Sequence, residues 1–343
     1  MRLSVIATSF LLVAALLPDP NARGAELVSC EKIWDQAPHN AFTSLVRFQD
    51  KWFCAFREGS EHVSPDGVLR ILISQDGKTW ASVAKIQHDA ADLRDPNLSV
   101  SPDGQLVLIS AAAWHNPPKH AGVKETHQTF VWTSPDGMQW TDATPVGDSN
   151  YWIWKLTWFG TDAWGMGYGT TLGASAPLRL YCGNNGLNLK KVTEIQPVET
   201  GVWMTESALE FGPDGTLYCL QRQDAQDCQG LLGISRPPYT DWTWKPLGMK
   251  IGGPALARLR DGRLVGVVRL YDPIRTVVGE ISPETGKFSP WLTLPSGGDC
   301  SYAGVVEWDG VLWISYYSSH EGKTSIYLAK VTITPPEKAP SGR

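Results

Sequence analysis

Residues 74–80 read SQDGKTW, and residues 134–140 read SPDGMQW. Serine stands first in both, an aspartate-glycine pair third and fourth, and tryptophan last. Aspartate-glycine suits tight turns, because glycine takes positive φ without steric cost and aspartate tolerates the neighbouring position. The pair recurs at 66–67, 76–77, 103–104, 136–137, 214–215, 261–262 and 309–310, flanked by short runs such as VLRILI and QLVLISA. Short apolar runs joined by such turns predict about seven tight hairpins. With helical periodicity nearly absent, the chain is predicted to be all-β.

The phrase also sets a long period. Degraded copies start at Cys182 (CGNNGLNL), Ser235 (SRPPYTDWTW) and Ser282 (SPETGKFSPW), at steps of 60, 48, 53 and 47 residues from Ser74 onward. That step matches one four-stranded propeller blade. A first blade from about residue 30 and a last one ending near Val331 bring the ring to six. Stacking blades in a ring buries both faces of each small sheet. The chain of 343 residues, 42% hydrophobic, is long enough for a single propeller over 26–335, with 336–343 as a tail.

Arg2, the apolar run 3–17 and the small residues Ala22 and Gly24 read as a signal peptide over 1–25, too short to anchor in a membrane. Export, to a periplasm or beyond, is the expectation. The net charge of −5 offers no basis for nucleic acid or anionic membrane as partner, and a monomer is expected. Six cysteines in an exported chain permit disulfides, with Cys219 and Cys228 the first pair to consider. There is no CxxC or HxxxH spacing, so neither a metal nor another cofactor is called for.

The two phrases match the Asp box of sialidases (neuraminidases) and related six-bladed propellers, one residue shorter than the commonest form. In that family the box is a structural hairpin on the outer edge of a blade, remote from the active site. The resemblance covers nearly the whole mature chain in blade rhythm. It implies an exo-glycosidase whose arginines clamp the carboxylate of an acidic sugar, as planar guanidinium groups do. A tyrosine attacks, a glutamate takes its proton and an aspartate is the general acid; sialidases depart in this from the two-carboxylate scheme.

Carried onto this sequence, the resemblance makes Arg57 in WFCAFREG the first clamp arginine, although Glu58-Gly59 stands where the family has Ile-Pro. A surface ion pair with Glu58 or Glu61 is the alternative. Asp66, eight residues before Ser74, is the acid or a plain turn residue, and His62 could share its role. In LRDPNLSVSPDG, Arg94 and Asp95 are rim candidates. WMTESALEFGPDGTLYCLQRQD supplies Glu206 as base and Arg222 as second clamp, brought to one side by the hairpin. Tyr302 in GGDCSYAGVVEW is the nucleophile, and the third arginine is Arg269 or Arg275, with Arg258 a further option.

Sixteen tryptophans exceed what the box requires; Trp114, Trp152, Trp154, Trp158 and Trp203 pack between blades or offer platforms to sugars. The stretch 114–127, with His115, His120 and His127, reads as an insertion over the funnel mouth. The expected function is a sialidase-like hydrolase of a terminal acidic sugar, with a glycan as partner. The alternatives are a non-catalytic Asp-box propeller that binds glycan or protein, and a hydrolase or lyase for another acidic polysaccharide such as one containing uronic acid.

Overall fold

The computed structural model of the protein describes residues 24–334, apart from 89–90, 116–118, 121–122, 172, 174–175 and 226. The expected signal segment up to residue 23 and the C-terminal tail lie outside the described residues. Six four-stranded antiparallel sheets form a ring. Blades one to five run outward from inner strands His39–Phe48, Asp92–Val100, Tyr151–Phe159, Trp203–Phe211 and Gly252–Arg258, which pack against one another around the axis. Blade six takes Cys300–Trp308, Val311–Ser318 and Ser325–Ile333 from one end of the chain and its outer strand, Ala25–Trp34, from the other. Ala25 pairs with Ile333 and Trp34 with Ile326, so the ring closes by hydrogen bonds between distant segments.

Apolar side chains fill the spaces between blades. Phe53 and Ile71 of blade one, for example, pack with Leu98, Leu108 and Trp132 of blade two. Among the described residues no helix is long and apolar enough to cross a membrane.

Six of the seven aspartate-glycine pairs close hairpins, their glycines at φ between 68° and 95°. Asp66-Gly67 departs from the expectation and sits in the wider connection between Lys51–Gly59 and Val68–Ser74. In the box of blade one, Asp76 Oδ1 accepts from the backbone of Lys78 (2.8 Å) and Thr79 (2.9 Å), while Gly77 N donates to Ser74 Oγ (2.9 Å). A Cβ on Gly77 would lie 2.2 Å from Trp313 of blade six, so the turn must approach its neighbour closely.

Ser74 pairs with Trp52 at one end of the strand Lys51–Gly59, and Arg57 lies near the other end. The boxes therefore decorate the face opposite the one described below. No disulfide forms: all six cysteines are free thiols. Cys219 lies in mid-strand opposite Leu209 and Gly233, where burial raises its thiol pKa, while Cys228 sits in a loop beyond the strand.

The feature that builds a site is a bulge repeated in all six inner strands. At each, two residues oppose one on the neighbouring strand: Phe42-Thr43, Asp95-Pro96, Trp154-Lys155, Thr205-Glu206, Gly253-Pro254 and Tyr302-Ala303. Bulges twist a strand and re-aim its side chains. Phe42, Asp95 and Tyr302 accordingly have φ of 61°, 51° and 53°, a conformation that costs a non-glycine residue about 1–3 kcal/mol. The six bulges lie at one end of the ring axis, and five of them line a small cavity, through Phe42, Asp95, Trp154, Lys155, Gly253 and Tyr302 among others.

Candidate active site

Glu206 and Arg222 come together because the bulge Thr205-Glu206 stands opposite Arg222 on the paired strand Leu217–Asp224. Arg222 Nη1 donates to Glu206 Oε1 at 2.7 Å. Tyr302, from the bulge of blade six, donates its hydroxyl to the same oxygen at 2.6 Å and lies 3.2 Å from Arg222 Nη1. Gly253 N donates to Glu206 Oε2 at 2.8 Å. Gly253 has φ 53°, and a Cβ there would lie 2.6 Å from the Tyr302 ring, so only glycine lets the backbone come so near. Burial and the Glu206 charge push the Tyr302 phenol well above its ordinary pKa, with Arg269 and Arg222 opposing. The resting tyrosine is therefore a neutral donor, with its proton held toward the Glu206 carboxylate.

Arg269 lies on the other side of Tyr302, its guanidinium carbon 5.2 Å from the ring centroid. Its Nη2 donates to Asp299 Oδ1 and Tyr317 Oη, both at 3.0 Å, and its Nε to Cys300 O at 2.9 Å. Asp299 is a hub, its Oδ2 also meeting His62 Nδ1 (2.7 Å) and His39 Nε2 (3.0 Å). Burial opposes ionisation of Asp299, but the hydrogen bonds from His39, His62 and Tyr317 outweigh it and hold the carboxyl well below the ordinary range. His39, His62 and Asp299 are close enough to share a metal ion. The Arg269 cation on the same carboxylate disfavours a second cation, and the cluster fits better as the support that fixes Arg269.

On the opposite wall, the blade-two bulge presents Asp95. It is buried, and its Oδ1 has no hydrogen-bond partner. Burial pushes its pKa up to about 7, with Arg94 opposing and Glu206 reinforcing the rise. Arg94 places its guanidinium 5.3 Å from the Phe42 ring and 5.7 Å from that of Trp152, and its Nε is buried without a partner. Phe42 and Trp154, with ring centroids 5.1 and 5.6 Å from that of Tyr302, form aromatic walls.

No protein-family model matches the sequence, and no curated protein matches it. Solved structures do resemble the fold. A protein of unknown function from Dyadobacter fermentans superposes with a TM-score of 0.79 at 18% identity, over 91% of this chain and 100% of that one. The Penicillium chrysogenum α-L-arabinanase bound to arabinobiose gives 0.67 at 13% identity, over 88% and 98%. The Trypanosoma rangeli sialidase bound to the inhibitor DANA gives 0.66 at 10% identity, over 86% of this chain and 55% of that one. The fold is the sialidase-type propeller. At these identities the likeness concerns the fold alone, and the arabinanase shares it as fully as the sialidase does.

Within this propeller the sequence-predicted residues separate into two groups. Glu206, Arg222, Tyr302 and Arg269 converge, Arg94 stands behind the cavity wall against Phe42, and His62 joins Arg269 through Asp299. Arg57 does not converge: it is wholly buried, with Nε 2.7 Å from the equally buried Asp92 and its remaining donors spent on Glu61 O, Ser64 O and Ser64 Oγ. It is neither a clamp nor a surface ion pair. Asp66 is exposed and accepts from Ser60 N (3.1 Å), and hydrogen bonds from Ser64 and Ser60 lower its pKa, the wrong direction for a general acid. Arg275 caps its own turn at Asp272 O (2.8 Å) and Pro273 O (2.7 Å), and Arg258 stands at the far end of its strand, opposite Leu264.

The ends of the stretch 114–127 lie at the site end of blade two, where Ala113 pairs with both Asp92 and His127. His115 approaches Asp92 at 3.8 Å, and His127, its pKa pushed down to about 4 by burial and by Arg94, packs on Trp152; the His120 side chain lies outside the described residues. Sequence reasoning missed the weight of Asp95, and it missed Lys155 and Asp299 altogether. Aligning the six inner strands where their alternation breaks would have put Asp95 and Tyr302 at the first bulge position and Lys155 and Glu206 at the second.

Proposed function

We propose that the protein is an exported, monomeric glycoside hydrolase that removes a terminal acidic sugar from a glycan. The observation that carries the reading is the 2.6 Å bond between Tyr302 Oη and Glu206 Oε1, flanked by Arg222 and Arg269 at the mouth of a bulge-lined cavity. Asp95, with its raised pKa, replaces Asp66 as the acid that protonates the glycosidic oxygen. As that bond breaks, Tyr302 attacks the anomeric carbon and its proton passes to Glu206. Water then cleaves the glycosyl-tyrosine, Asp95 acting as base. Arg94, whose Nε lies 3.9 Å from Asp92 Oδ2 and makes no hydrogen bond, replaces Arg57 in the clamp beside Arg222 and Arg269.

A second reading has one observation in its favour. Arg222 and Arg269 are already engaged by Glu206, Asp224 and Asp299. A neutral sugar needs no clamp, and Glu206 would then attack directly with Asp95 as the acid, in a two-carboxylate scheme. The test is release of 4-methylumbelliferone from its sialic acid glycoside and from a neutral α-L-arabinofuranoside, by wild type and by Tyr302→Phe. Turnover of the acidic substrate, lost in Tyr302→Phe, supports the first reading. Turnover of the neutral substrate that survives the substitution supports the second. Glycan binding without turnover of either would overturn both in favour of a non-catalytic propeller.

A further inference from the structure

The repeated bulge places a fourth polar group on the cavity for which the reaction above has no use. Lys155 occupies in blade three the position that Glu206 occupies in blade four, the second residue of the bulge. Its Nζ donates to Ala303 O at 3.1 Å, which uses one of three donors. The side chain lines the space of about 10 Å³ that it shares with Asp95, Trp154 and Tyr302. It also lines a cavity of about 280 Å³ further along the axis, beside Asn97, Thr157 and Glu210. The smaller space is about the size of one water, and both Lys155 and Asp95, whose Oδ1 has no hydrogen-bond partner, line it. Burial draws the Lys155 pKa down to about 8, while Asp95 and Glu206 oppose that fall.

We propose that Lys155 is a positioning residue of the catalytic cavity, whose ammonium keeps the Asp95 carboxyl able both to give and to take a proton. This rests on the hydrolase reading. In the first step Asp95 gives its proton to the leaving oxygen and becomes a carboxylate. In the second, that carboxylate must take a proton from the water whose oxygen attacks the anomeric carbon, while Glu206 returns its proton to the departing phenol. Burial alone favours the neutral carboxyl, which serves the first step and fails the second. The charged groups facing Asp95 are Arg94 and Arg57 on one side of the balance and Glu206 and Asp92 on the other. The phenols of Tyr302 and Tyr168 stand nearby. The coupling is visible from the lysine, whose proton the Asp95 charge helps to hold, and the ammonium acts on Asp95 in return.

The test is titration of carbon-13-labelled aspartate in the full chain, with Asp95 assigned by its loss in Asp95→Asn. In Lys155→Met the Asp95 midpoint rises by roughly one pH unit or more, and in Lys155→Arg it stays near wild type. Reciprocally, the Lys155 midpoint, read at its labelled Cε, falls in Asp95→Asn, a measurement that needs no lysine variant to fold. On a turned-over substrate, Lys155→Met accumulates glycosyl-Tyr302 by mass spectrometry, with kcat and KM falling together. An Asp95 midpoint unchanged in Lys155→Met, or a Lys155 midpoint unmoved in Asp95→Asn, overturns the proposal. Because both midpoints are read without substrate, they stand apart from any failure of the hydrolase reading.

Discussion

Asp95→Asn separates stability from catalysis in opposite directions. The side chain is buried, one oxygen is unpartnered, and its pKa is raised from 3.8 to about 7. The folded protein thus holds this proton more tightly than the unfolded chain does. The contribution is fully present below the unfolded value and is lost as pH rises through the folded one, so stability falls between about pH 4 and pH 7. At 1.36 kcal/mol per pH unit, that rise corresponds to about 4 kcal/mol withheld from the native state above pH 7. Asparagine has the same shape, never ionises and tolerates the φ of 51° that this bulge demands. The variant should therefore melt several degrees above wild type at pH 8, and the two should converge near pH 4 in scanning calorimetry. Turnover should fall by roughly 10²–10⁴-fold, and the alkaline limb of the pH–rate profile near pH 7 should vanish. A variant no more stable at pH 8 than wild type, or one that keeps its turnover, would refute the assignment of Asp95 as a buried, protonated acid.

Other substitutions test the division of labour. Arg57→Met removes the hydrogen-bonded counterion of the buried Asp92, leaving it only Arg94 at 3.9 Å and His115 at 3.8 Å, and should cost about 3–5 kcal/mol in denaturant unfolding. Its position predicts no comparable rise in KM once the folded fraction is corrected for. Arg94→Ala should do the reverse, raising KM for an acidic substrate by roughly 10–100-fold with little change in melting temperature. Gly77→Ala forces a Cβ against Trp313 at positive φ and should destabilise by about 1–3 kcal/mol. Because that box lies on the face opposite the bulges, kcat per folded molecule should stay unchanged, and a specific loss of activity would contradict its role as scaffold.

What could be read from the chain alone followed from local chemistry. Aspartate-glycine turns, the serine and tryptophan of each box, and their spacing act within a few residues, so hairpins, blade length and blade number were legible. The pair Glu206 and Arg222 was legible for the same reason, since one hairpin dictates that both ends face one side. Arg57 was misassigned because its surroundings come from elsewhere: Asp92 lies thirty-five residues on, and it decides that the guanidinium is buried and spent. Asp66 suited the expected position but sits in a solvated turn, and burial rather than spacing makes an acid.

The sequence by itself determined the architecture of this protein, because turns and amphipathic strands are fixed by near neighbours and a ring is the way to bury six two-faced sheets. The tertiary structure decided which polar residues come together. Six inner strands bulge at one level, and only their assembly around the axis brings Asp95, Lys155 and Tyr302 from three blades onto one cavity, with Glu206 of a fourth bonded to Tyr302. Proton affinities there are set by desolvation and by charges more than a hundred residues away along the chain, and no local pattern encodes them.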